Sequence, residues 1–542
     1  MTTVAPLHTS PPHTTQHWTI RKPAASGRRG IVVAQAHDAA QAGIALLDAG
    51  GSAADAAVAT ALALAAVEPW NSGLGGIGYA LVNAPGQRTE VVDFGPVSSR
   101  NLDPARYPLT GRGAAGYFGW PEVEGDANIH GPLSAVIPSA PAGYAAIHRR
   151  WGRLPFADVA APAVALAKRE LSADWFCLLK VCGEADILRR YDHSAAVYLP
   201  GGLPRRLPYD GPAGCFPLGN LADTLQRLAD AGLRDFYDGD VAASLVADFA
   251  DAGCPIDAAD LRGCDAAFRA AETVPWRGRD LHLTGGPTAT PALKRVLAGM
   301  ADAPYGAAPD AAPDAAWFAA SARALRAAYA ERLSPAPQDG CTTHLTVCDA
   351  DGMVVSMTTT LMSAFGSRMM LRRTGVMPNN GVMWFDTSPG NANSLAPSRR
   401  PLCNILPVML CDDGRPVLAG GASGGRHILA AVFQLLTFIA DFGMSPEDAA
   451  HHPRIDVTGP DRVAADSRLP PDVLDALAPV VRVEHVALPA SFACPNMIAV
   501  ARDGTRTGIS DAQSPWSAAL AQPPVGGAPR GTRPAGTPAS KE

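Results

Sequence analysis

Residues 340–360 read Gly-Cys-Thr-Thr-His-Leu-Thr-Val-Cys-Asp-Ala-Asp-Gly-Met-Val-Val-Ser-Met-Thr-Thr-Thr. Strand-forming residues on both sides of Asp-Ala-Asp-Gly at 349–352 predict a β-hairpin, with Thr342 near its start and Thr360 at its end. A threonine hydroxyl is a weak nucleophile unless a base lies beside it, and the neatest base is its own α-amine. That amine exists only if the chain is cut between Cys341 and Thr342. This stretch therefore indicates a precursor that cleaves itself.

Strand and helix patterns surround this hairpin. Before it, the sequence predicts a strand at 30–35, helices at 38–48 and from 53 to about 67, strands at 79–82 and 90–94, and a mostly helical middle at 135–335 with one strand at 276–283. After it come a strand at 407–411, a glycine-rich turn at 420–425 and an apolar helix at 427–442. Strands on both sides of a mainly helical middle predict mixed sheets covered by helices.

The composition is ordinary for a soluble enzyme. The 542 residues carry a net charge of −6, with 47% hydrophobic and 18% charged residues, so no basic field is available for nucleic acid. Residues 1–30 lack the apolar core of a secretory signal. The longest apolar run, Ala53–Val67, is interrupted by Asp55 and Thr60 and is too short to span a bilayer. A cytoplasmic location without membrane contact is the expectation.

Metal and cofactor motifs are weak. The ten cysteines contain no Cys-x-x-Cys pair, so the sequence predicts buried free thiols and neither a zinc cage nor a disulfide framework. Adjacent histidines on a helix point away from each other, so a surface or packing role is favoured for His451 and His452. The stretch Gly-Leu-Gly-Gly-Ile-Gly at 73–78 follows a predicted helix and precedes a strand, the reverse of a dinucleotide fingerprint. We expect a tight turn there, and neither a cofactor nor a metal in this protein.

The glycine-rich stretch Gly-Gly-Ala-Ser-Gly-Gly at 420–425 lies between a predicted strand and a predicted helix. Successive backbone N–H groups at a helix N-terminus have the geometry of an oxyanion hole. Most such loops are plain turns, and a threonine in a strand-forming run is usually only a strand residue. Spacing alone therefore favours the ordinary interpretation of Thr342, and the pairing with this loop gives the catalytic one added weight.

A series of motifs extends along the chain from Gly30 to Ala519. In order, they are GGSAADAAVATALALAAVEPWNSGLGGIGY, VVDFG, IPSAPAGYAAIHRRWGRLPFADVAAPAVALA, GCTTHLTVCDADGMVVSMTTTLMSAFGS, GVMPNNGVMWFD, RRPL, GGASGGRH and SPEDAAHHPRI. Through these motifs, which occur there in the same order, the chain resembles the γ-glutamyltransferase (glutathione hydrolase) family of N-terminal-nucleophile hydrolases.

This resemblance implies an αββα sandwich formed from one precursor. It divides the chain into a disordered tail at 1–29, a large chain at 30–341, a small chain at 342–522 that stays associated with it, and a disordered tail at 523–542. Thr342 matches the family nucleophile, whose hydroxyl attacks the carbonyl of Cys341, and Thr360 matches the threonine that orients it. Gly424 and Gly425 match the pair whose N–H groups hold the tetrahedral oxyanion.

The family's glutamate-binding positions differ in this chain. The arginine for the α-carboxylate is Gly95, the asparagine after the second threonine is Met362, the Gln/Glu is Gly381, the ammonium-binding aspartate is Trp384, and the serine pair is Cys403 and Asn404. A zwitterion in such a pocket would go unpaired, which is costly. Arg100 and Asp386 are the charged groups that could compensate by reaching in.

Three classes of function follow. The first is a self-cleaving threonine amidohydrolase or acyltransferase that acts on a small-molecule amide and passes the acyl group to water or an amine. Its specificity is γ-glutamyl or, as in relatives with altered pockets, that of a dicarboxylic-acyl or oxamate-type amidohydrolase, a cephalosporin acylase or a C–C hydrolase. The second class is an uncleaved scaffold. The third, a nucleotide-dependent oxidoreductase, has the wrong local order at 73–78.

Overall fold

A computed structural model describes residues 20–114, 120–302, 312–332, 341–457, 462–486 and 492–524. The α-helices in these ranges are α1 His37–Asp48, α2 Ala53–Val67, α3 Ala140–Trp151, α4 Phe156–Arg169, α5 Trp175–Leu188, α6 Asp192–Tyr198, α7 Leu221–Ala231, α8 Asp235–Asp238, α9 Asp240–Ala252, α10 Ala258–Arg262, α11 Thr290–Gly299, α12 Ala315–Arg332, α13 Ile428–Ala440, α14 Pro446–His451 and α15 Pro471–Leu477.

The β-strands in the same ranges are β1 Ala25–Gly27, β2 Ile31–Ala34, β3 Ile77–Asn83, β4 Glu90–Phe94, β5 Leu109–Ala114, β6 Pro121–Val123, β7 Leu171–Ser172, β8 Cys215–Phe216, β9 Ala267–Ala270, β10 Glu272–Trp276, β11 Arg279–Leu283, β12 Cys341–Cys348, β13 Val354–Met362, β14 Val408–Asp412, β15 Arg415–Ser423, β16 Ile455–Asp456, β17 Arg462–Asp466, β18 Arg482–Val486, β19 Cys494–Val500, β20 Arg506–Ser510 and β21 Ala518–Ala521.

Two seven-stranded sheets form the centre of the molecule. The hairpin sheet has the order β21-β2-β12-β13-β3-β4-β9, and the glycine sheet has the order β1-β20-β19-β15-β14-β11-β10. One apolar core, which includes Leu345 and Met357, packs the hairpin sheet against α1 to α4. A second core, which includes Leu418 and Phe433, packs the glycine sheet against α11 to α13. A third core lies between the sheets, so the expected αββα sandwich is confirmed.

The two sheets approach each other closely beside the hairpin. A Cβ atom on Gly421 of β15 would lie 2.5 Å from the imidazole ring of His344 on β12. Ser356 of β13 donates a hydrogen bond of 2.9 Å to the carbonyl of Gly420. Burial lowers the pKa of His344 to about 3, so this imidazole is neutral. Glycine is therefore required at position 421, because only a residue without a side chain fits between the sheets there.

Helix α2 anchors the hairpin from the other side. Its N-terminus carries the predicted capping box, in which Ser52 and Asp55 satisfy each other's backbone N–H groups, and all of its residues except Val67 are buried. Asp349, in the turn of the hairpin, accepts 2.9 Å hydrogen bonds from the N–H groups of Ala53 and Met353. The turn is thus fixed to the start of α2, and the end of α2 leads toward the open end of the hairpin.

Each sheet combines strands from both sides of the Cys341–Thr342 bond. In the hairpin sheet β2 lies between β21 and β12, and β13 is hydrogen-bonded to β3. In the glycine sheet β11 pairs with β14 and β1 pairs with β20. A cut at this bond would leave the two pieces joined by backbone ladders along both sheets.

Three local expectations are corrected. Residues 276–283 are not one strand, because Arg277 and Gly278, both with positive φ, form the turn between β10 and β11. Residues 420–423 are not a turn, because β15 continues to Ser423 in a ladder with β19. Residues 20–29, expected in a disordered tail, include β1, which pairs with β20. The remainder of that tail and residues 525–542 lie outside the described ranges.

Two further expectations concern thiols and membranes. Five of the nine described cysteines are buried free thiols, whereas Cys254 and Cys264 are half-buried and Cys182 and Cys215 are exposed. None of the helices that the structure describes combines the length and the apolar character needed to cross a bilayer.

Candidate active site

Thr342 and Thr360 lie side by side at the open end of the hairpin. Their Oγ atoms are 3.4 Å apart, and the Thr360 Oγ accepts a 2.7 Å hydrogen bond from the N–H of Met362. The register shifts between Cys341 and Thr343, so the ladder is irregular at Thr342 itself. A bulge at this point re-aims a side chain away from the regular alternation of a strand.

The Thr342 side chain faces a cavity of about 410 Å³. The walls come from the start of α1 and the end of α2, from α5, from the hairpin, and from the ends of β15 and β19. The lining residues are Gln35, Glu68, Asn71, Phe176, Leu179, Lys180, Gly183, Glu184, Thr342, Ala364, Ser423, Gly424, His427, Phe492, Cys494, Gln513 and Ser514. We call this space the Thr342 cavity. Its volume is within the usual range for a small-molecule site.

Gly424 brings backbone to the wall of this cavity. It follows β15 directly, has a φ of 129°, and a Cβ atom there would lie 2.8 Å from the Cα of Ala493. Gly425, with a φ of 56°, starts the short helical turn that leads into α13. Gly425 is not among the lining residues. The loop thus places main chain at a helix N-terminus beside Thr342, where N–H groups can stabilise negative charge.

Glu68 is a buried carboxyl group in the same cavity. Its Oε2 accepts a hydrogen bond of 2.7 Å from the hydroxyl of Thr343, the residue after Thr342. Burial raises the pKa of Glu68 to about 7, and the hydrogen bonds and the charge of Lys180 oppose that rise. A carboxyl group with a pKa in this range changes charge near neutral pH, which is a property of functional sites.

A histidine–aspartate pair contributes its histidine, His427, to the wall of the same cavity. The Nδ1 of His427 is hydrogen-bonded to Oδ2 of Asp456, and both side chains are largely buried. The other oxygen of Asp456 is buried with no hydrogen-bond partner among the described residues. This arrangement fixes the orientation of the imidazole, whose ring forms part of the cavity wall.

The six expected substrate-binding positions lie elsewhere. None of them is among the residues that line the Thr342 cavity, and all are buried: Gly95, Met362, Gly381, Trp384, Cys403 and Asn404. Met362 contacts the candidate site through its backbone N–H, which donates a hydrogen bond to the Oγ of Thr360. A Cβ on Gly381 would lie 2.6 Å from Val136, so this position is packed. The two charged groups expected to compensate are also engaged elsewhere, Arg100 with Asp257 and Asp386 with Asn391.

The space beside Gly95 is occupied by the protein's own charges. Asp93 is paired with both Arg400 and Arg269, and Arg400 also donates to the hydroxyl of Tyr79. These hydrogen bonds and charges hold the pKa of Asp93 below its usual value despite the opposing effect of burial. A side chain at position 95 would collide with Tyr79 and Arg400. The arginine that the family has at this position therefore does not fit here.

The weaker motifs have structural roles. The glycines at 73–78 let the chain pass over β13, since a Cβ on Gly76 would lie 2.7 Å from the carbonyl oxygen of Thr360. His451 accepts a hydrogen bond of 2.9 Å from the N–H of Lys22 and packs against the N-terminal strand region. No cluster of three or more metal-binding side chains occurs in the part of the chain that the structure describes.

A larger surface cleft of about 800 Å³ is separate from these residues. Arg373 crosses it in ion pairs with Asp248 and Asp251, at 2.7 Å each. It contains none of the site residues expected from the sequence. The smaller Thr342 cavity is the one that combines a candidate nucleophile, a helix N-terminus and titratable side chains.

Sequence reasoning missed four functional candidates, Glu68, Lys180, His427 and Asp456. Glu68 carried a signal, since it is the first charged residue after a long alanine-rich helix. His427 ends a motif already singled out, but its partner is 29 positions away. Lys180 carried no such signal.

The sequence and the fold of this chain are similar to those of known proteins. The sequence profile described as "Gamma-glutamyltranspeptidase" matches residues 39–336 and 311–521. The glutathione hydrolase proenzyme of Escherichia coli K12 is 27% identical, over 90% of this chain and 91% of that protein. The acylase ACY 1 proenzyme of Pseudomonas sp. SE83 is 29% identical, over 91% of this chain and 94% of that protein. The crystal structure of a cephalosporin acylase from Bacillus halodurans superposes with a TM-score of 0.82 at 21% identity, covering 95% of this chain and 99% of the other, and thus shares the fold.

Proposed function

This chain belongs to the γ-glutamyltranspeptidase family, and we propose that Thr342 becomes its catalytic nucleophile when the Cys341–Thr342 bond is cleaved by the protein itself. The chain is a hydrolase or acyltransferase of the N-terminal-nucleophile class. The observation that carries the proposal is the position of Thr342, 3.4 Å from Thr360 and on the wall of a cavity that also contains Gly424.

Self-cleavage uses the same hydroxyl as turnover. The Thr342 Oγ attacks the carbonyl carbon of Cys341, a C–O bond forms, the peptide C–N bond breaks, and the released amine takes up the hydroxyl proton. Water then hydrolyses the ester, which leaves a carboxylate on Cys341 and a free hydroxyl and α-amine on Thr342. Such an amine ordinarily has a pKa of about 7.7–8.0, which suits it to act as a base near neutral pH.

In turnover, the α-amine removes the proton from the Thr342 hydroxyl as its oxygen attacks the substrate carbonyl. The N–H groups of Gly424 and Gly425 stabilise the oxyanion, and loss of such donors typically costs about 10²–10³ in rate. The intermediate collapses to an acyl-enzyme as the C–N bond breaks and the α-ammonium returns its proton to the leaving nitrogen, which departs as a neutral amine. Water or a second amine then accepts the acyl group and restores Thr342.

We do not assign γ-glutamyl specificity to this site. The residues at the family's glutamate-binding positions are buried, and the space beside Gly95 is filled by Tyr79 and Arg400. We propose instead a family member of altered specificity. Robust turnover of γ-glutamyl-p-nitroanilide, measured beside glutaryl and other short dicarboxylic amides, would contradict this inference from Gly95 and Trp384.

The role of Thr342 is tested with two variants and a control. Thr342→Ala is expected to abolish both self-cleavage and amide hydrolysis, whereas Thr342→Ser retains part of each because it keeps a hydroxyl. Thr273→Ala, at an exposed threonine of β10, serves as the matched control. If Thr342→Ala is cleaved and hydrolyses substrate like the parent chain, Thr342 is not the nucleophile.

A further inference from the structure

We propose that the outer part of the Thr342 cavity is a substrate subsite for a ring-sized apolar group that bears a carboxylate. This subsite lies between α5 and the segment around Trp516, and Lys180 is its cation. The inference rests on the proposed role of Thr342, since it concerns the substrate of the same cavity.

One face of α5 is turned toward the cavity. Phe176, Leu179, Lys180, Gly183 and Glu184 all line it, and their spacing of three, four, seven and eight residues places them on a single helical face. Such a face normally packs against a neighbouring element. Here it borders open space, so a ligand can occupy the position that a packing partner would take.

Gly183 borders open space on this face of α5. An added Cβ at this position would meet no atom within 4 Å. Glycine inside a helix costs about 1 kcal/mol relative to alanine, so its presence in the interior of α5 needs a compensating reason. Close approach of a bulky ligand to the helix backbone is such a reason.

An apolar, exposed surface adjoins the cavity, since Trp175 precedes the lining residue Phe176 and Trp516 lies two residues after the lining residue Ser514. Trp175, Leu179 and Trp516 are 50%, 57% and 37% exposed, which is unusual for residues of this size. The rings of Trp175 and Trp516 are 6.0 Å apart and form one surface. Contiguous exposed apolar residues beside a cavity are typical of a binding site, and aromatic rings bind flat apolar groups well.

The charge balance of the cavity favours an anion. Glu184 is paired with the buried guanidinium of Arg368 at 3.0 Å, so its charge is compensated. Lys180 has no ion-pair partner among the described residues, and its Nζ lies 5.0 Å from the centre of the Phe176 ring. The remaining acidic groups are Asp456, held by His427, and Glu68, a buried carboxyl group whose raised pKa keeps much of it neutral at and below neutral pH. A carboxylate beside Phe176 would therefore gain an ion pair with Lys180.

Matched pairs of substrates test whether the subsite prefers a carboxylate. At the acyl end, the p-nitroanilide of (3-carboxyphenyl)acetic acid is compared with that of phenylacetic acid. At the amine end, the glutaryl amide of 4-aminobenzoic acid is compared with that of aniline. At one of the two ends, we expect the carboxylated compound to have a KM about tenfold lower than its uncharged partner, as for a hydrogen bond to a charged group. Lys180→Met should remove that preference.

The control for charge is Lys168→Met. Lys168 lies on α4 outside the cavity, where it is hydrogen-bonded to Gln226, so this variant should keep the preference for the carboxylated compound. A preference that persists in Lys180→Met, or that the parent protein lacks at both ends, overturns the inference. Self-cleavage is scored on a gel for every variant. A parent chain that cleaves itself but shows no preference removes only the subsite, whereas a chain that never cleaves removes the proposed function as well.

A second variant tests the shape of the subsite. Gly183→Leu fills the open space beside α5. At the end where the carboxylate preference is found, the ratio of kcat/KM for the ring-bearing probe to that for its ringless counterpart should fall by about tenfold, an effect expected from loss of apolar contact area. The ratio compares phenylacetyl- with acetyl-p-nitroanilide at the acyl end, and glutaryl anilide with glutaryl methylamide at the amine end. Gly214→Leu is the control, because Gly214 is exposed and equally free of neighbours. An unchanged ratio in Gly183→Leu would show that ring-sized groups do not bind there.

Discussion

Glu68 accepts a 2.7 Å hydrogen bond from the hydroxyl of Thr343, the residue that directly follows the proposed nucleophile. A carboxyl group at the end of α2 is thereby joined to the strand that carries Thr342. Because this carboxyl is almost completely buried, its protonation is coupled to the stability of the fold.

The pH dependence of stability tests this coupling. The pKa of Glu68 is raised from 4.5 to about 7 by burial, so between these values the unfolded chain has lost a proton that the folded chain retains. Stability therefore falls as the pH rises from 4.5 and levels off above 7, by roughly 3 kcal/mol from this group alone. Glu68→Gln, in a Thr342→Ala background, should remove that fall in urea unfolding measured between pH 4.5 and 8.

The exposed Glu124 provides the control for this measurement, since Glu124→Gln should leave the pH dependence of the parent chain unchanged. If Glu68→Gln and Glu124→Gln give the same profile, folding does not raise the pKa of Glu68, and the proposed coupling is wrong.

Thr360→Val tests the support of the nucleophile. Valine keeps the size of threonine but removes the oxygen that lies 3.4 Å from Thr342 and accepts the N–H of Met362. Misplacement of a reacting group by about 1 Å can cost 10²-fold, so we expect about a 100-fold loss of kcat for amide hydrolysis. Thr360→Ser should recover most of it. Equal kcat values for the parent and Thr360→Val would rule out a role for this hydroxyl.

Gly424→Ala tests the loop beside the nucleophile. Alanine there is disfavoured by the positive φ and collides with Ala493. The loop must shift, and we expect kcat to fall by about 10²-fold as oxyanion donation is lost. Gly443→Ala isolates the effect of φ, since Gly443 also has a positive φ but no neighbour near its Cβ. Similar kcat values for both variants would mean that Gly424 serves only as a turn.

The association of the two pieces after cleavage is a further prediction. Because β2 pairs with both β21 and β12, removal of either piece would break ladders in the centre of a sheet. Cleaved protein should therefore elute from gel filtration at the same volume as the uncleaved Thr342→Ala chain, and separate only in denaturant. Dissociation under native conditions would contradict the interleaved topology.

Local patterns predicted much of the fold. The hairpin at 340–360, the capping box at Ser52 and the long apolar helix that is α13 are governed by nearby residues, and each is present. The hairpin between β10 and β11 was missed because its turn, Arg277-Gly278, lacks the usual asparagine or aspartate before glycine. The strand through Gly420 and Gly421 was missed because glycine is required at position 421 by the approach of His344 from the second sheet, which only the tertiary structure reveals.

The candidate site could be predicted only in part. The Oγ atoms of Thr342 and Thr360 are 3.4 Å apart and Gly424 lines the same cavity as Thr342, whereas the catalytic roles of these residues stay a prediction. The pocket walls could not be inferred, because Lys180 reaches the cavity from a helix more than 150 residues before Thr342. Motif alignment also could not show that position 95 is closed by Tyr79 and Arg400, which depends on packing between distant strands.

The identity of the new N-terminus is the most direct test of the central claim. After incubation of the purified 542-residue chain, the smaller product should contain 201 residues and begin Thr-Thr-His-Leu, as read by N-terminal sequencing and intact mass. A gel should show bands of about 35 and about 21 kDa, in proportion to the 56.1 kDa of the whole chain. A single uncut chain after long incubation, or a product that begins at any residue other than Thr342, would contradict the account.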